Sequence, residues 1–163
     1  MVAVSDASPV SGLALTGCLH LLRSQFTEVW IPDAVRSELE RIPNLEAKAS
    51  IEGAFQEGWL RCRAVRHPRL IAALASELDK GEAEAIALAA EMQADVVLLD
   101  EKEGRSLARR AGLQVRGVLG VLIRAKARGE ISSVGAVIKA LRSRAGFFIA
   151  PDLEAEVLRS VGE

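Results

Sequence analysis

The sequence is poor in the residues that build many familiar sites. Its 163 residues include no Tyr, two Trp, four Phe, two Cys and two His. Cys18 and Cys62 have no CxxC spacing, and His20 and His67 belong to no ligand-spaced cluster, so no zinc site is predicted. We expect reduced thiols and a cytoplasmic protein. The scarcity of aromatic side chains also leaves few platforms for stacking nucleic-acid bases.

Long apolar runs and several catalytic signatures are missing too. No run approaches the roughly 18 apolar residues that predict a membrane span, and no basic segment precedes the apolar start as in a signal peptide. There is no P-loop, GxGxxG or GxSxG motif. The residues are 50% hydrophobic and 26% charged, which indicates a folded globular chain. At this length we expect a single domain over residues 1–163.

The net charge of −1 conceals an uneven distribution. Residues 1–100 carry 9 basic and 15 acidic side chains, a balance of −6, whereas residues 101–163 carry 12 and 7, a balance of +5. An acidic part beside a basic part could hold cations and phosphates next to each other, although ordinary surface variation can produce the same split.

The stretch from residue 79 to 110 predicts a helix, a buried strand and a second helix. The Ala-rich segment from 82 to 93 favours a helix, and the apolar run from 96 to 99 predicts a strand covered on both faces. Asp100 follows that strand. At about 100° per residue, Glu82 falls on the inward stripe with Ile86, whereas Glu84 is expected on a solvated face. Glu82 could instead simply favour the N-terminus of its helix.

Helices alternate with short apolar strands along the whole chain. This alternation predicts an α/β fold of three α/β/α layers around a central, mainly parallel, five-stranded sheet. Asp6 ends the first predicted strand and Asp100 the fourth, so both are expected at the edge of the sheet where ligands bind. Glu38 and Glu82 lie on helices. Clustered carboxylates favour Mg²⁺ or Mn²⁺ over zinc or copper.

Five segments in register resemble the PIN domain family, and together they extend over nearly the whole chain. They are VSDASP (4–9), Pro-x-x-Val-x-x-Glu (32–38), GEAEAIALA (81–89), LLDEKEGR (98–105) and GVLGVLIRAKARG (117–129). More narrowly, the chain resembles the VapC-like PIN proteins, a group of toxin ribonucleases whose members are often described only as nucleic-acid-binding.

The resemblance implies a Mg²⁺- or Mn²⁺-dependent endoribonuclease that is the toxin component of a type II toxin–antitoxin system. Its four acids match Asp6, Glu38, Glu82 and Asp100 as catalytic residues, and the metal is assigned to Asp6, Glu82 and Asp100. Ser8 matches a small hydroxyl position, and Glu103 is expected to be an outer-shell acid. The partners it implies are RNA, a small antitoxin and a second copy of the chain in a homodimer.

Two basic residues shortly after Asp100 are candidates for RNA phosphate contacts. Arg105 and Arg109 are one helical turn apart, although a solvated helix face explains Arg109 equally well. The alternative function is a non-catalytic PIN-scaffold module that binds nucleic acid or protein. It is motivated by Glu82, where many relatives have Asp, and by Leu99, where Thr, Ser or Arg often precedes the fourth acid.

Overall fold

The computed structural model describes residues 1–163 as five strands and ten helices. The strands are β1 (Val2–Ser5), β2 (Glu28–Ile31), β3 (Leu60–Cys62), β4 (Val96–Leu98) and β5 (Val115–Arg116). The helices are α1 (Ala7–Leu15), α2 (His20–Gln25), α3 (Asp33–Glu40), α4 (Leu45–Glu57), α5 (Pro68–Ala75), α6 (Lys80–Met92), α7 (Lys102–Arg110), α8 (Val118–Ala127), α9 (Val134–Ala145) and α10 (Pro151–Ser160).

The five strands form one sheet in the order β3-β2-β1-β4-β5, and every pair is parallel. The predicted α/β fold with a five-stranded parallel sheet is therefore confirmed. β1 lies at the centre, with Val4 opposite Trp30 on one side and Val97 on the other. The Asp6 N–H donates to the Leu98 carbonyl at 3.0 Å, which extends this pairing one residue past β1. The C-terminal ends of β1 and β4 consequently lie side by side.

Two apolar clusters cover the two faces of the sheet. Successive residues of a strand point to opposite faces, so Ala3 belongs to the larger cluster and Val4 to the smaller one. β4 repeats the pattern, with Leu98 in the larger cluster and Val97 in the smaller. This double burial explains why β4 is apolar without alternation.

The start of α1 differs from the sequence-based prediction. The turn-forming residues 7–9 and the hydroxyl of Ser11 predict a helix that Ser11 caps, but α1 begins at Ala7 with Asp6 in the N-cap position. Pro9 does not oppose this, because the first-turn amides of a helix need no intrahelical partner. The predicted helix also divides in two after Leu15, with Gly17 at φ 71° in the connection.

No helix of the structure is both long enough and apolar enough to span a membrane.

Leu13 provides a test of the larger core. Its side chain is fully buried, so Leu13→Ala removes packed methyl groups and should lower the free energy of unfolding by about 2–5 kcal/mol in urea denaturation. Leu45 is 79% exposed, and Leu45→Ala should change it by less than about 0.5 kcal/mol. Equal losses in the two variants would contradict the described packing.

Candidate metal centre

Three carboxylates converge at the C-terminal end of β1. Asp6 follows that strand, Glu38 comes from α3, and Asp79 caps α6. One oxygen of each lies within 4.8 Å of the other two. Asp6 is buried, whereas Glu38 and Asp79 are exposed, so the group is open to solvent on one side. We call these three residues the acidic cluster.

Contacts between α3 and α6 bring Glu38 to this position. The Ala34 N–H, in the first turn of α3, donates to the Glu84 carboxylate of α6 at 2.8 Å. Glu84 was expected on a solvated face, and this is wrong, because it is half-buried and caps α3. Gly81 supplies the space, since a Cβ there would stand 2.5 Å from Glu38 Oε1 and 3.1 Å from Asp6 Oδ1.

Glu82 is buried beside the cluster and forms a reciprocal cap with Asp79. The Glu82 N–H donates to Asp79 Oδ1 at 2.8 Å, and the Asp79 N–H donates to Glu82 Oε2 at 3.3 Å. The helix-terminus role considered for Glu82 is thus present in the structure. Its other oxygen, Oε1, is buried without a hydrogen-bond partner. A Cβ on Gly104 would stand 3.0 Å from this oxygen, so Gly104 leaves it room.

Burial and mutual repulsion disfavour the ionised acids. Burial, with the charges of Asp79, Glu38 and Glu82, raises the pKa of Asp6 to about 7. Burial and Asp79 raise the pKa of Glu82 to about 7, and they also raise the pKa of Glu38. None of the ion pairs in the structure involves these four acids.

These carboxylates fit a divalent cation. Like charges held this close need a cation or a proton between them, and the cluster has no Lys or Arg partner. An all-oxygen donor set with one solvent-facing side suits Mg²⁺ or Mn²⁺, which keep water ligands. The Oε1 of Glu82 is a further carboxylate oxygen without a hydrogen-bond partner, but it lies near Gly104 of α7 and outside the group of three acids.

Asp100 lies at the same edge of the sheet but is held in a different way. Its Oδ2 accepts from the Ser8 hydroxyl and its Oδ1 from the Val118 N–H, both at 2.8 Å. Burial raises the pKa of Asp100, while these two hydrogen bonds and the charge of Arg105 oppose the rise. Its carboxylate ties α1 to the start of α8 and does not join the three acids of the cluster.

The residues predicted to contact substrate or surround the metal ligands differ in burial. Arg105 is half-buried, and its Nη1 donates to the Leu99 carbonyl at 2.9 Å, next to Asp100. Arg109 and Glu103 are exposed on α7. Glu101, which sequence reasoning did not select, adds a smaller effect that raises the pKa of both Glu82 and Asp100.

Asp79 is the main residue of the centre that sequence reasoning missed. The Asp-x-x-Glu spacing of Asp79 and Glu82 signals a helix N-terminus, and Asp79 was given only that role. The missed signal is that a cap on a helix starting at the ligand-binding edge of a parallel sheet also presents its carboxylate to that edge.

Comparison with known proteins identifies the family to which this fold belongs. A family model described as a PIN domain, DUF3368, matches residues 2–163. The chain belongs to the PIN domain family. A sequence comparison with curated proteins finds no match. Among solved structures, this PIN domain is similar to a PilT N-terminus domain protein from the hyperthermophilic archaeon Sulfolobus solfataricus P2. Identity is 23%, the TM-score is 0.53, and the alignment covers 77% of this chain and 93% of the other, which is a similarity of fold.

The raised pKa of Asp6 predicts how stability depends on pH. An unfolded Asp ionises near pH 4 and native Asp6 near 7, so the native state retains the proton longer and loses stability as pH rises between these values. Asp6→Asn removes this loss. In urea denaturation with EDTA, the variant should gain about 1–3 kcal/mol over the wild type between pH 5 and 8.

Asp152→Asn, on exposed α10, is the matched control and should show a pH-independent difference from the wild type. Saturating Mn²⁺ should stabilise the wild type at pH 8 and reduce its pH slope, because the ion binds the ionised form. Parallel curves for Asp6→Asn and the wild type would contradict the repulsive cluster.

Proposed function

We propose that this PIN domain is a divalent-metal-dependent endoribonuclease. The observation that carries the proposal is the acidic cluster, with three carboxylate oxygens within 4.8 Å of each other and no ion-paired base among them. PIN domains are typically metal-dependent nucleases, and the cluster lies at the edge of the sheet where this fold class binds ligands.

The proposed roles divide between two groups of acids. Asp6, Glu38 and Asp79 hold Mg²⁺ or Mn²⁺, and Glu82 offers its free Oε1 to the same centre. A bound ion supplies an activated water and neutralises charge at the scissile phosphate. Asp100, proposed from the family resemblance as a further ligand, also orients Ser8 and the start of α8.

Asp100 can bind a metal ion and keep its hydrogen bonds to Ser8 and to the start of α8. Each of its oxygens accepts one hydrogen bond in the structure, and a carboxylate oxygen has a second lone pair. We keep Asp100 as a proposed catalytic residue on this ground.

RNA is the proposed substrate, with Arg105 and Arg109 contacting its phosphates and Glu103 as an outer acid. The toxin role, a small antitoxin partner, a homodimer and a cytoplasmic location are proposed from the resemblance to VapC-like proteins. Light scattering of the purified protein tests the homodimer, and growth arrest on expression tests the toxin role.

A non-catalytic PIN scaffold that binds nucleic acid or protein is the second candidate. The observation that favours it is that Glu82 and Asp100 both have structural hydrogen bonds, so neither acid needs catalysis to account for its presence. This candidate predicts RNA or partner binding that EDTA does not abolish, together with no cleavage in Mg²⁺ or Mn²⁺.

Glu38 and Glu40 form a matched pair for the nuclease proposal. Both lie on α3 and both are exposed, but only Glu38 faces the acidic cluster, while Glu40 pairs with Arg36 at 3.3 Å. With a pool of structured RNAs and Mn²⁺, Glu38→Gln should lower the cleavage rate by about 100-fold or more, since it removes a charged ligand. Glu40→Gln should stay within about twofold.

The wild type in EDTA provides the second control and should give no products. Electron paramagnetic resonance of Mn²⁺ measures binding independently of cleavage and should show weaker binding in Glu38→Gln. Equal cleavage by wild type and Glu38→Gln, or cleavage that persists in EDTA, would refute the assignment of the metal centre.

A further inference from the structure

A cavity of about 370 Å³ has Asp100 in its lining. The end of β5, the start of α8 and one face of α10 enclose it. Its charged lining residues are Asp100, Arg105 and Arg116, and α10 contributes only the apolar side chains of Leu153 and Val157. Two cations therefore face one carboxylate, the reverse of the balance in the acidic cluster.

Two glycines at the start of α8 make room for the two arginine side chains. A Cβ on Gly117 would stand 2.6 Å from Arg105 Nη1, and a Cβ on Gly120 would stand 2.7 Å from Arg116 Cγ. Neither glycine has a positive φ, so backbone conformation does not require them. Their effect is to let Arg105 and Arg116 lie directly against the N-terminus of a helix.

Arg116 lacks a counter-ion. It forms no ion pair with a carboxylate, and its Nη1 is buried without a hydrogen-bond partner. Its guanidinium lies 5.6 Å from the centre of the Phe26 ring, which is buried. Arg116 also lines the cavity, and a guanidinium carries five N–H donors, so it has donors besides those on Nη1 for a ligand.

The surroundings add further positive charge. Burial lowers the pKa of Arg105 and of Arg116, and the nearby charges of Arg109 and Arg124 lower them further. The one carboxylate in the lining, Asp100, already accepts from Ser8 and Val118. The positive end of α8 points to the same place, where the first amides of a helix lack intrahelical partners.

We propose that this cavity is a phosphate-binding site in which Arg105 and Arg116 hold a phosphate group of a nucleic-acid chain whose next part passes the acidic cluster. Guanidinium groups suit phosphate oxygens because they donate paired hydrogen bonds. Asp100 lines the cavity and follows β4, the strand next to β1, at whose end Asp6 lies. The nucleic-acid part of this inference rests on the proposed nuclease function; the anion site itself does not.

Binding of inorganic phosphate, measured by calorimetry in EDTA, tests the anion site alone. Arg116→Gln should weaken it by about 10-fold or more, whereas Arg110→Gln, exposed on α7, should stay within about twofold. Phosphate should also raise the melting temperature of the wild type and not that of Arg116→Gln. Thermal unfolding shows whether each variant is folded.

The Gly120→Ala variant tests whether phosphate binding depends on the position of the Arg116 side chain and not only on the number of positive charges. It keeps every arginine but puts a Cβ at 2.7 Å from Arg116 Cγ, so the side chain must move. We expect at least about a fivefold loss of phosphate affinity from a folded variant. Absence of phosphate binding by the wild type, equal losses in Arg116→Gln and Arg110→Gln, or unchanged binding by folded Gly120→Ala would each overturn the proposed site.

RNA oligonucleotides distinguish the sources of the phosphate group. In EDTA, Arg116→Gln should weaken binding of a short RNA, and inorganic phosphate should compete with that RNA. A preference for 5′-phosphorylated over 5′-hydroxyl RNA assigns the site to a terminal phosphate, and equal binding assigns it to an internal phosphodiester. RNA affinity unaffected by Arg116→Gln would refute the nucleic-acid part and leave an anion site.

RNA cleavage by the wild type is measured in a separate assay, so that the nuclease proposal and the phosphate-site proposal can fail independently. If the wild type binds phosphate and RNA but never cleaves RNA, the proposed nuclease function is refuted and the cavity remains assigned as a phosphate-binding site. If the wild type cleaves RNA and the Arg116→Gln variant binds phosphate and RNA normally, the proposed phosphate site is refuted and the proposed nuclease function stands.

Discussion

Repulsion between the carboxylates of Asp6, Glu38 and Asp79 is the constraint on which this structure depends. One oxygen of each lies within 4.8 Å of the others, one of the three side chains is buried, and no basic residue pairs with them. A folded chain tolerates this only where the rest of the structure fixes the positions. Here Gly81 lets Glu38 approach, Glu84 caps α3 over α6, and the parallel pairing of β1 fixes Asp6.

Positive charge lies toward the β5 end of the same edge of the sheet. Asp100 follows β4, fastens Ser8 and the start of α8, and lines the cavity that contains Arg105 and Arg116. The uneven charge distribution along the chain thus has a spatial counterpart, since acids from the first hundred residues meet at β1 and arginines from the later part gather at β5. A cation site beside an anion site suits a substrate made of phosphates.

Much of the fold and part of the site follow from the sequence for a physical reason. An apolar run such as β4 and an apolar stripe such as that of α6 are local patterns, so both elements are visible from neighbouring residues alone. Asp6 and Asp100 could be placed at this edge of the sheet because a residue that follows such a strand has a predictable location. Asp79 was missed because its spacing to Glu82 already satisfies a local rule. The significance of Gly120 was out of reach, since it depends on the side chain of Arg116 in three dimensions.

Capping and metal binding do not exclude each other at this centre. In Glu82 the two oxygens have different tasks, because Oε2 accepts from the Asp79 N–H and Oε1 is left buried and unpartnered. A residue present only as a cap would gain nothing from burying that second oxygen, which costs free energy without a partner. A cation could take the lone pairs of Oε1, and a bound water could donate a hydrogen bond to it. The cap therefore uses one oxygen of Glu82 and leaves the other free, so that capping does not compete with metal binding.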